Sequence, residues 1–276
     1  MFKGNFHTHS RFCDGVGEPD EYVTLAVRKG FQALGFSGHA PLPYPNDWTM
    51  KAEQVPVYLE QVNRLKRENE GAIRIYTGLE IDYFPEDNWD ILKKYRLDYI
   101  IGSVHCIVDY QRNICHGIDG SREEFEAALA LFQGDIRRFA GNYYDRIARM
   151  AREMKPDIIG HFDIFKKNNA DGHYFSETDD WYIKLVKQAL AAIAASGRIL
   201  EINTGGRLRG YIPDFYPSRW ILGECRKLEI PVILSSDAHQ PENLDGYFEE
   251  ARLLLKEAGY LQQRVLHGNE WIDVAL

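Results

Sequence analysis

The run Tyr99-Ile100-Ile101-Gly102-Ser103-Val104-His105 decides the architecture of this 276-residue chain. Its apolar residues are contiguous rather than alternating, the pattern of a strand covered on both faces in a parallel sheet. It then ends on an imidazole. The same pattern recurs on either side. Gly4–His9 closes on His7-Thr8-His9, and Ala33–Gly38 leads into His39. Ile73–Ile81 carries Glu80 and runs into Asp82, and Ile158–His161 ends on His161. Ile199–Asn203 holds Glu201, and Val232–Ser236 is followed by Asp237-Ala238-His239.

Helical stretches separate these strands: Pro19–Lys29, Val55–Arg67, Arg122–Phe132, Asp135–Glu153, Asp180–Ala195, Ser218–Leu228 and Asn243–Ala258. Pro19 sits at an early helical position, and Gly30, Gly197 and Gly259 serve as stops. Seven βα units, with a short last strand at Trp271–Val274, predict an α/β barrel forming one domain over residues 1–276. The stretch 106–155, between the fourth and fifth strands, reads as a helical insertion lying over the barrel.

The net charge of −8 argues against a nucleic-acid groove or an anionic membrane surface as partner. A small anionic substrate held by local positive charge remains compatible with it. The longest apolar run, Ala189–Ala195, is far short of the roughly 18–20 residues of a membrane span. The N-terminus enters a strand without an apolar signal region, and Cys13, Cys106, Cys115 and Cys225 show no CxxC spacing. These features predict separate thiols in a reducing cytoplasm.

Residues at i and i+2 of a strand share a face, so His7 and His9 can reach one ion. Six of the nine histidines fall at C-terminal strand ends, where barrel enzymes build their sites. Imidazoles mixed with carboxylates suit Zn²⁺, Mn²⁺ or Fe²⁺ rather than Mg²⁺ or Ca²⁺. The donors outnumber what one ion needs. Glu80, central in the set, could bridge two ions and so hold a hydroxide ready at neutral pH.

In order and spacing, His7-Thr8-His9-Ser10, the turn Gly35–Ala40, Gly78–Phe84, Gly102–His105, Gly160–Asp163 and Ser235–His239 resemble the motifs of the PHP (polymerase and histidinol phosphatase) superfamily. The resemblance spans essentially the whole chain. It is greatest to the monofunctional histidinol-phosphate phosphatases, which carry an Asp after the first motif, here Asp14. It implies a distorted (β/α)7 barrel with up to three divalent ions (Mn, Fe or Zn). By motif, one ion would take His7, His9, Glu80 and Asp237. A second would share Glu80 and add His105 and His161. A third would take Asp14, His39 and His239, with Asp14 where many relatives place a His. The implied reaction is hydrolysis of L-histidinol phosphate in histidine biosynthesis, by a hydroxide bridging two ions. Glu80, Asp237 and His239 are the expected catalytic residues. The alternatives are a protein-tyrosine phosphatase or nucleotide phosphoesterase of the same superfamily, or a non-catalytic metal-binding protein.

Substrate contacts are less sharply indicated. Arg207 and Arg209 follow the sixth strand, and a guanidinium fork suits phosphate, so one or both form an expected clamp. Tyr216 would line the pocket or sit in the core. Glu201 would either hold a ligand histidine or meet the substrate amine. Asp163 would support a ligand or cap a helix. His116, His173 and His267 match no motif and read as surface or loop residues. The partner expected is a small phosphomonoester, with no nucleic acid and no membrane; the oligomeric state stays open.

Overall fold

The computed structural model describes residues 2–85 and 89–276. Seven parallel strands follow one another in spatial order: β1 (Gly4–Asn5), β2 (Ala33–Phe36), β3 (Arg74–Asp82), β4 (Tyr99–Ser103), β7 (Ile158–Ile159), β8 (Ile199–Asn203) and β9 (Val232–Ser235). Strands β5 (Cys106–Asp109) and β6 (Ile114–Gly117) form a separate antiparallel hairpin, as do β10 (Gln262–His267) and β11 (Glu270–Ala275). The sheet nearly closes on itself. Thr8 bridges Ala238 in parallel, the Ala238 N–H donates to His7 O at 3.1 Å, and the His9 N–H donates to Ala238 O at 2.9 Å. The expected barrel is therefore present. The first strand is shorter than predicted, because beyond Asn5 the backbone leaves its ladder with β2 to join the residues after β9.

The predicted helices appear as α1 (Pro19–Arg28), α2 (Val55–Glu68), α4 (Arg122–Ala130), α5 (Ile136–Glu153), α6 (Asp180–Ser196), α8 (Arg219–Lys227) and α9 (Phe248–Glu257). Two short helices, α3 (Asp90–Lys94) and α7 (Gly205–Leu208), were not anticipated. Local chemistry sets the ends. Ser121 and Glu124 form a capping box on α4, Asp135 accepts the N–H groups of Arg137 and Arg138 on α5, and Gly197 ends α6 at φ 67°. None of the described helices is long and apolar enough to cross a membrane.

Between sheet and helices lies the main apolar core. A second cluster fills the barrel at the N-terminal ends of the strands: Phe6, Ala33, Tyr76, Tyr99, Ile158 and Ile199 among others. Tyr99 occupies the middle of it, donating to Phe6 O at 2.6 Å. Gly78 makes room for that ring, since a Cβ there would lie 2.6 Å from it. The β10–β11 hairpin closes this end, with Trp271 packed on Phe6 and Tyr99 at 6.0 and 6.5 Å. With that end plugged, only the C-terminal ends of the strands are left open to build a site.

Two expectations need correction. The stretch 106–155 is not helical throughout: it opens with the β5–β6 hairpin, whose turn is held by Asp109 accepting the Gln111 and Arg112 N–H groups. That hairpin also changes the reading of the cysteines. Pairing of Val108 with Cys115 and of Cys106 with Gly117 brings Cys106 and Cys115 to a Cα separation of 5.7 Å, and they are disulfide-bonded. Cys13 and Cys225 are free thiols.

Candidate metal centre

Each parallel strand delivers its side chains to the same mouth. His7 and His9 come from the segment after β1, His39 from just beyond β2, and Glu80 from β3. His105 and His161 follow β4 and β7, and Asp237 and His239 follow β9. Asp14, in the turn after the first segment, is exposed and reaches in from the side. All nine predicted ligands are thus gathered in one place. Four overlapping sets have donor atoms close enough to share an ion: His9, Asp14, His39 and His239; His7, Glu80 and His161; His7, His9 and Asp237; and His39, Glu80 and His105.

Glu80 organises the centre. It is fully buried, and its two oxygens serve different groups. Oε1 lies 2.9 Å from His161 Nε2 and 3.4 Å from His105 Nε2. Oε2 lies 3.0 Å from His39 Nδ1, 3.1 Å from His7 Nε2 and 3.5 Å from His9 Nε2. Asp237 Oδ1 approaches His9 Nε2 at 3.1 Å and His7 Nε2 at 3.6 Å. Asp14 Oδ2 is 3.1 Å from His239 Nε2, and Asp14 Oδ1 is 3.7 Å from His39 Nε2. His7 Nε2, His9 Nε2, His39 Nδ1 and Glu80 Oε2 are buried without a well-formed hydrogen bond. Buried polar atoms are ordinarily satisfied, so four such atoms converging on one space fit cations held between them. The carboxylate divided between two imidazole groups fits a bridging ligand.

The two carboxylates and His9 are in the charge states a cation needs, whereas His7 and His105 would each give up a proton to one. Burial opposes charge on His7, yet the carboxylates of Glu201, Glu80 and Asp237 raise its pKa well above the usual value. Burial likewise opposes charge on His105, which Asp82 and Glu80 raise. On His9, burial and the neighbouring His239 and His39 push the pKa down to about 3, leaving a neutral donor. Burial works against the Glu80 and Asp237 carboxylates, but both are held well below the ordinary range, Glu80 by His7 and His39 and Asp237 by Arg209 and His7.

Around the donors sits a layer of groups that aim them. Glu201 is fully buried beneath the site. Its Oε1 lies 2.6 Å from His7 Nδ1, and its Oε2 accepts the His161 N–H and Asn203 Nδ2, each at 2.9 Å. It does not line the cavity above. Asp82 does for His105 what Glu201 does for His7: its oxygens meet the His105 N–H at 2.7 Å and Nδ1 at 3.0 Å. Asp82 was not singled out from sequence, although a carboxylate two residues after Glu80 on the same strand face was the available signal.

The two arginines part company. Arg209 lines the cavity and donates to Asp237 Oδ2 and Asp237 O, both at 2.9 Å. Arg207 packs its guanidinium over the rings of Tyr247 at 4.5 Å and Phe215 at 5.2 Å, and does not line the cavity. Tyr216 is buried beside Gly206 and also stays outside the cavity lining. Asp163 accepts the Ser218 N–H at 3.0 Å and pairs with Lys166 at 2.9 Å, which makes it a support for the start of α8. Lys167, not anticipated, lines the cavity. His173 and His267 are exposed, and His116 lies on β6 outside the cavity lining.

A parallel barrel with imidazoles and carboxylates gathered at its open end defines a class of protein whose site is capable of coordinating metal ions. This chain belongs to the PHP domain family, whose model matches residues 5–205. It is similar to a histidinol-phosphatase of Bacillus subtilis, 31% identical over 270 residues, covering 92% of this chain and 99% of the relative. It is also similar to a histidinol-phosphatase of Lactococcus lactis, 26% identical over 288 residues, covering 97% and 96%. Among solved structures, the histidinol phosphate phosphatase of Lactococcus lactis, complexed with zinc, L-histidinol and phosphate, matches with a TM-score of 0.73 at 22% identity over 98% of each chain.

Proposed function

We propose that this chain is a metal-dependent phosphomonoesterase that hydrolyses L-histidinol phosphate to L-histidinol and phosphate. The observation that carries this is the division of Glu80 between two imidazole groups on the floor of one cavity. The full-length similarity to histidinol-phosphatases supports the choice of substrate. His7, His9, Glu80 and Asp237 would hold one divalent ion, Glu80, His105 and His161 a second, and Asp14, His39 and His239 a third. Zinc, manganese and iron all suit this donor set. Such ions, when bound, lower the pKa of water towards neutrality and offset charge on phosphoryl oxygens.

The chain's own residues have separable tasks. Glu201 and Asp82 keep His7 and His105 turned towards the floor. Arg209 holds Asp237 in place and presents the rest of its guanidinium to the cavity, where an anionic group would lie. Lys167 adds a second cation on the same wall. Glu80, Asp237 and His239 form the part of the floor over which phosphorus would sit. The cytoplasmic location that goes with this reading rests on the biosynthetic role and the small-molecule substrate alone, since the Cys106–Cys115 disulfide removes the argument from separate thiols.

The test is to compare kcat/KM for L-histidinol phosphate, phosphotyrosine and a nucleoside monophosphate in the presence of Mn²⁺. A preference of about tenfold or more for histidinol phosphate is the expected outcome. Absence of that preference removes the substrate assignment. Full activity after exhaustive chelation, or in His7→Ala or Asp237→Ala, removes the metal-dependent one.

A further inference from the structure

The cavity above the metal centre, about 640 Å³, mixes charged groups with apolar ones, the Cys106–Cys115 pair and Ile164 among them. The loop from β2 to α2 brings Pro45, Asn46, Asp47 and Trp48 to the rim. Trp48 stands over two of the proposed ligands, with its ring 4.8 Å from His39 at 90° and 5.4 Å from His105 at 68°. The loop is built to hold it there. Asn46 Oδ1 accepts the N–H groups of Trp48 and Thr49 at 3.3 and 2.9 Å, Asn46 Nδ2 donates to Tyr44 O at 2.9 Å, and the Met50 N–H donates to His39 O at 3.1 Å. Yet the indole is only half-buried and is not absorbed into the main core.

The cations lie elsewhere. Arg209 and Lys167 are collected by Tyr211, whose ring is 5.6 Å from the Arg209 guanidinium and 4.0 Å from Lys167 Nζ. Arg209 sits over the β8–β9 side of the barrel, whereas Trp48 stands over β2–β4, across the seven-strand order. The two sides of the cavity therefore differ: Arg209 and Lys167 stand with Tyr211, Asp119 and Glu124 on one, and the indole of Trp48 stands on the other. An ester whose phosphorus lies over the floor and whose charged oxygens face Arg209 has room to carry its organic part towards Trp48.

We propose that Trp48 is a specificity-determining residue, packing against a planar, weakly cationic ring in the organic half of the substrate. This rests on the phosphomonoesterase reading above and adds to it the residue that selects the ring. Aromatic pairs contribute about 0.5–1.5 kcal/mol beyond area burial, and an indole face also attracts a cation.

The experiment measures kcat/KM for L-histidinol phosphate and for the ring-free phosphoethanolamine, with Mn²⁺-loaded wild type, Trp48→Ala and Trp48→Phe. The expected result is a fall of about tenfold in the ratio of the two in Trp48→Ala, carried by KM, with Trp48→Phe keeping most of it. A ratio that changes by less than about threefold in Trp48→Ala, because both substrates suffer alike or neither does, overturns the proposal. It would leave Trp48 as a prop for His39 and His105. Should wild type prefer another phosphomonoester, the proposed substrate fails. Trp48 is then judged by the same ratio with phenyl phosphate against glycerol phosphate, so the two failures are distinguishable.

Discussion

Replacing Glu201 with glutamine removes one charge and almost no volume, yet it should disable the centre. Glu201 accepts from three donors: His7 Nδ1, the His161 N–H and Asn203 Nδ2. A glutamine has one acceptor oxygen, and neither orientation serves. With that oxygen towards His7, the amide NH₂ faces two donors. Asn203 cannot turn to help without giving up the Gly205 N–H, which its Oδ1 accepts at 2.8 Å. With the NH₂ towards His7, Nδ1 must become an acceptor. The ring proton then moves to Nε2, the atom that faces Glu80 and Asp237 and would ligate the ion. Removing such an orienting partner costs about 10–100-fold in metal affinity, or about 1.4–2.8 kcal/mol. The assay is calorimetric titration of metal-free protein with Mn²⁺, alongside kcat/KM and a thermal melt. A variant that melts lower but binds Mn²⁺ within about twofold of wild type would refute the reasoning and reduce Glu201 to a fold contact.

Three further outcomes follow from the same geometry. His7 and His105 have pKa values raised well above the usual value by neighbouring carboxylates against the opposing effect of burial, so the metal-free protein carries protons there at neutral pH. Loading with Mn²⁺ in weak buffer should acidify the solution and demand more metal as the pH falls; loading without proton release contradicts this. Arg209→Met strands Asp237 and should lower kcat/KM about 30-fold or more, while Arg207→Met should mainly lower the melting temperature; equal kinetic effects would reverse the assignment. Cys115→Ser opens a loop of sequence separation 9 and should cost about 2–3 kcal/mol, lowering the melting temperature by several degrees as a reductant does for wild type. A wild-type melt unaffected by reductant would show that the disulfide is not stabilising.

Much of this was legible because a parallel barrel repeats one rule. An apolar strand buried on both faces ends where solvent begins, so a His, Asp or Glu at that point is either costly or useful. The runs before His105, His161 and Asp237 carry that signal unaided. What escaped notice depends on direction or on pairing between segments. Arg207 and Arg209 look equivalent on paper, but two residues along a helical turn rotate a side chain by about 200°. One therefore meets Tyr247 and the other Asp237. The hairpin at Cys106–Gly117 was hidden because its partner strand Ile114–Gly117 is short and half-exposed, and the disulfide follows from that pairing. The strand Gln262–His267 begins with two glutamines and an arginine, and only its pairing with Glu270–Ala275 makes it a strand.

The bridge between Thr8 and Ala238 has a consequence for how the protein is made. A ribosome releases His7 and His9 long before Asp237 and His239, which lie far downstream in the chain. Until residue 239 has emerged and its segment has docked against the first, no ion can find the full donor set. A truncated or stalled chain therefore exposes histidines without a finished site. Completion of the donor set therefore waits on the docking of the segment after β9, and an ion seated there would tie the first and last strands of the barrel together.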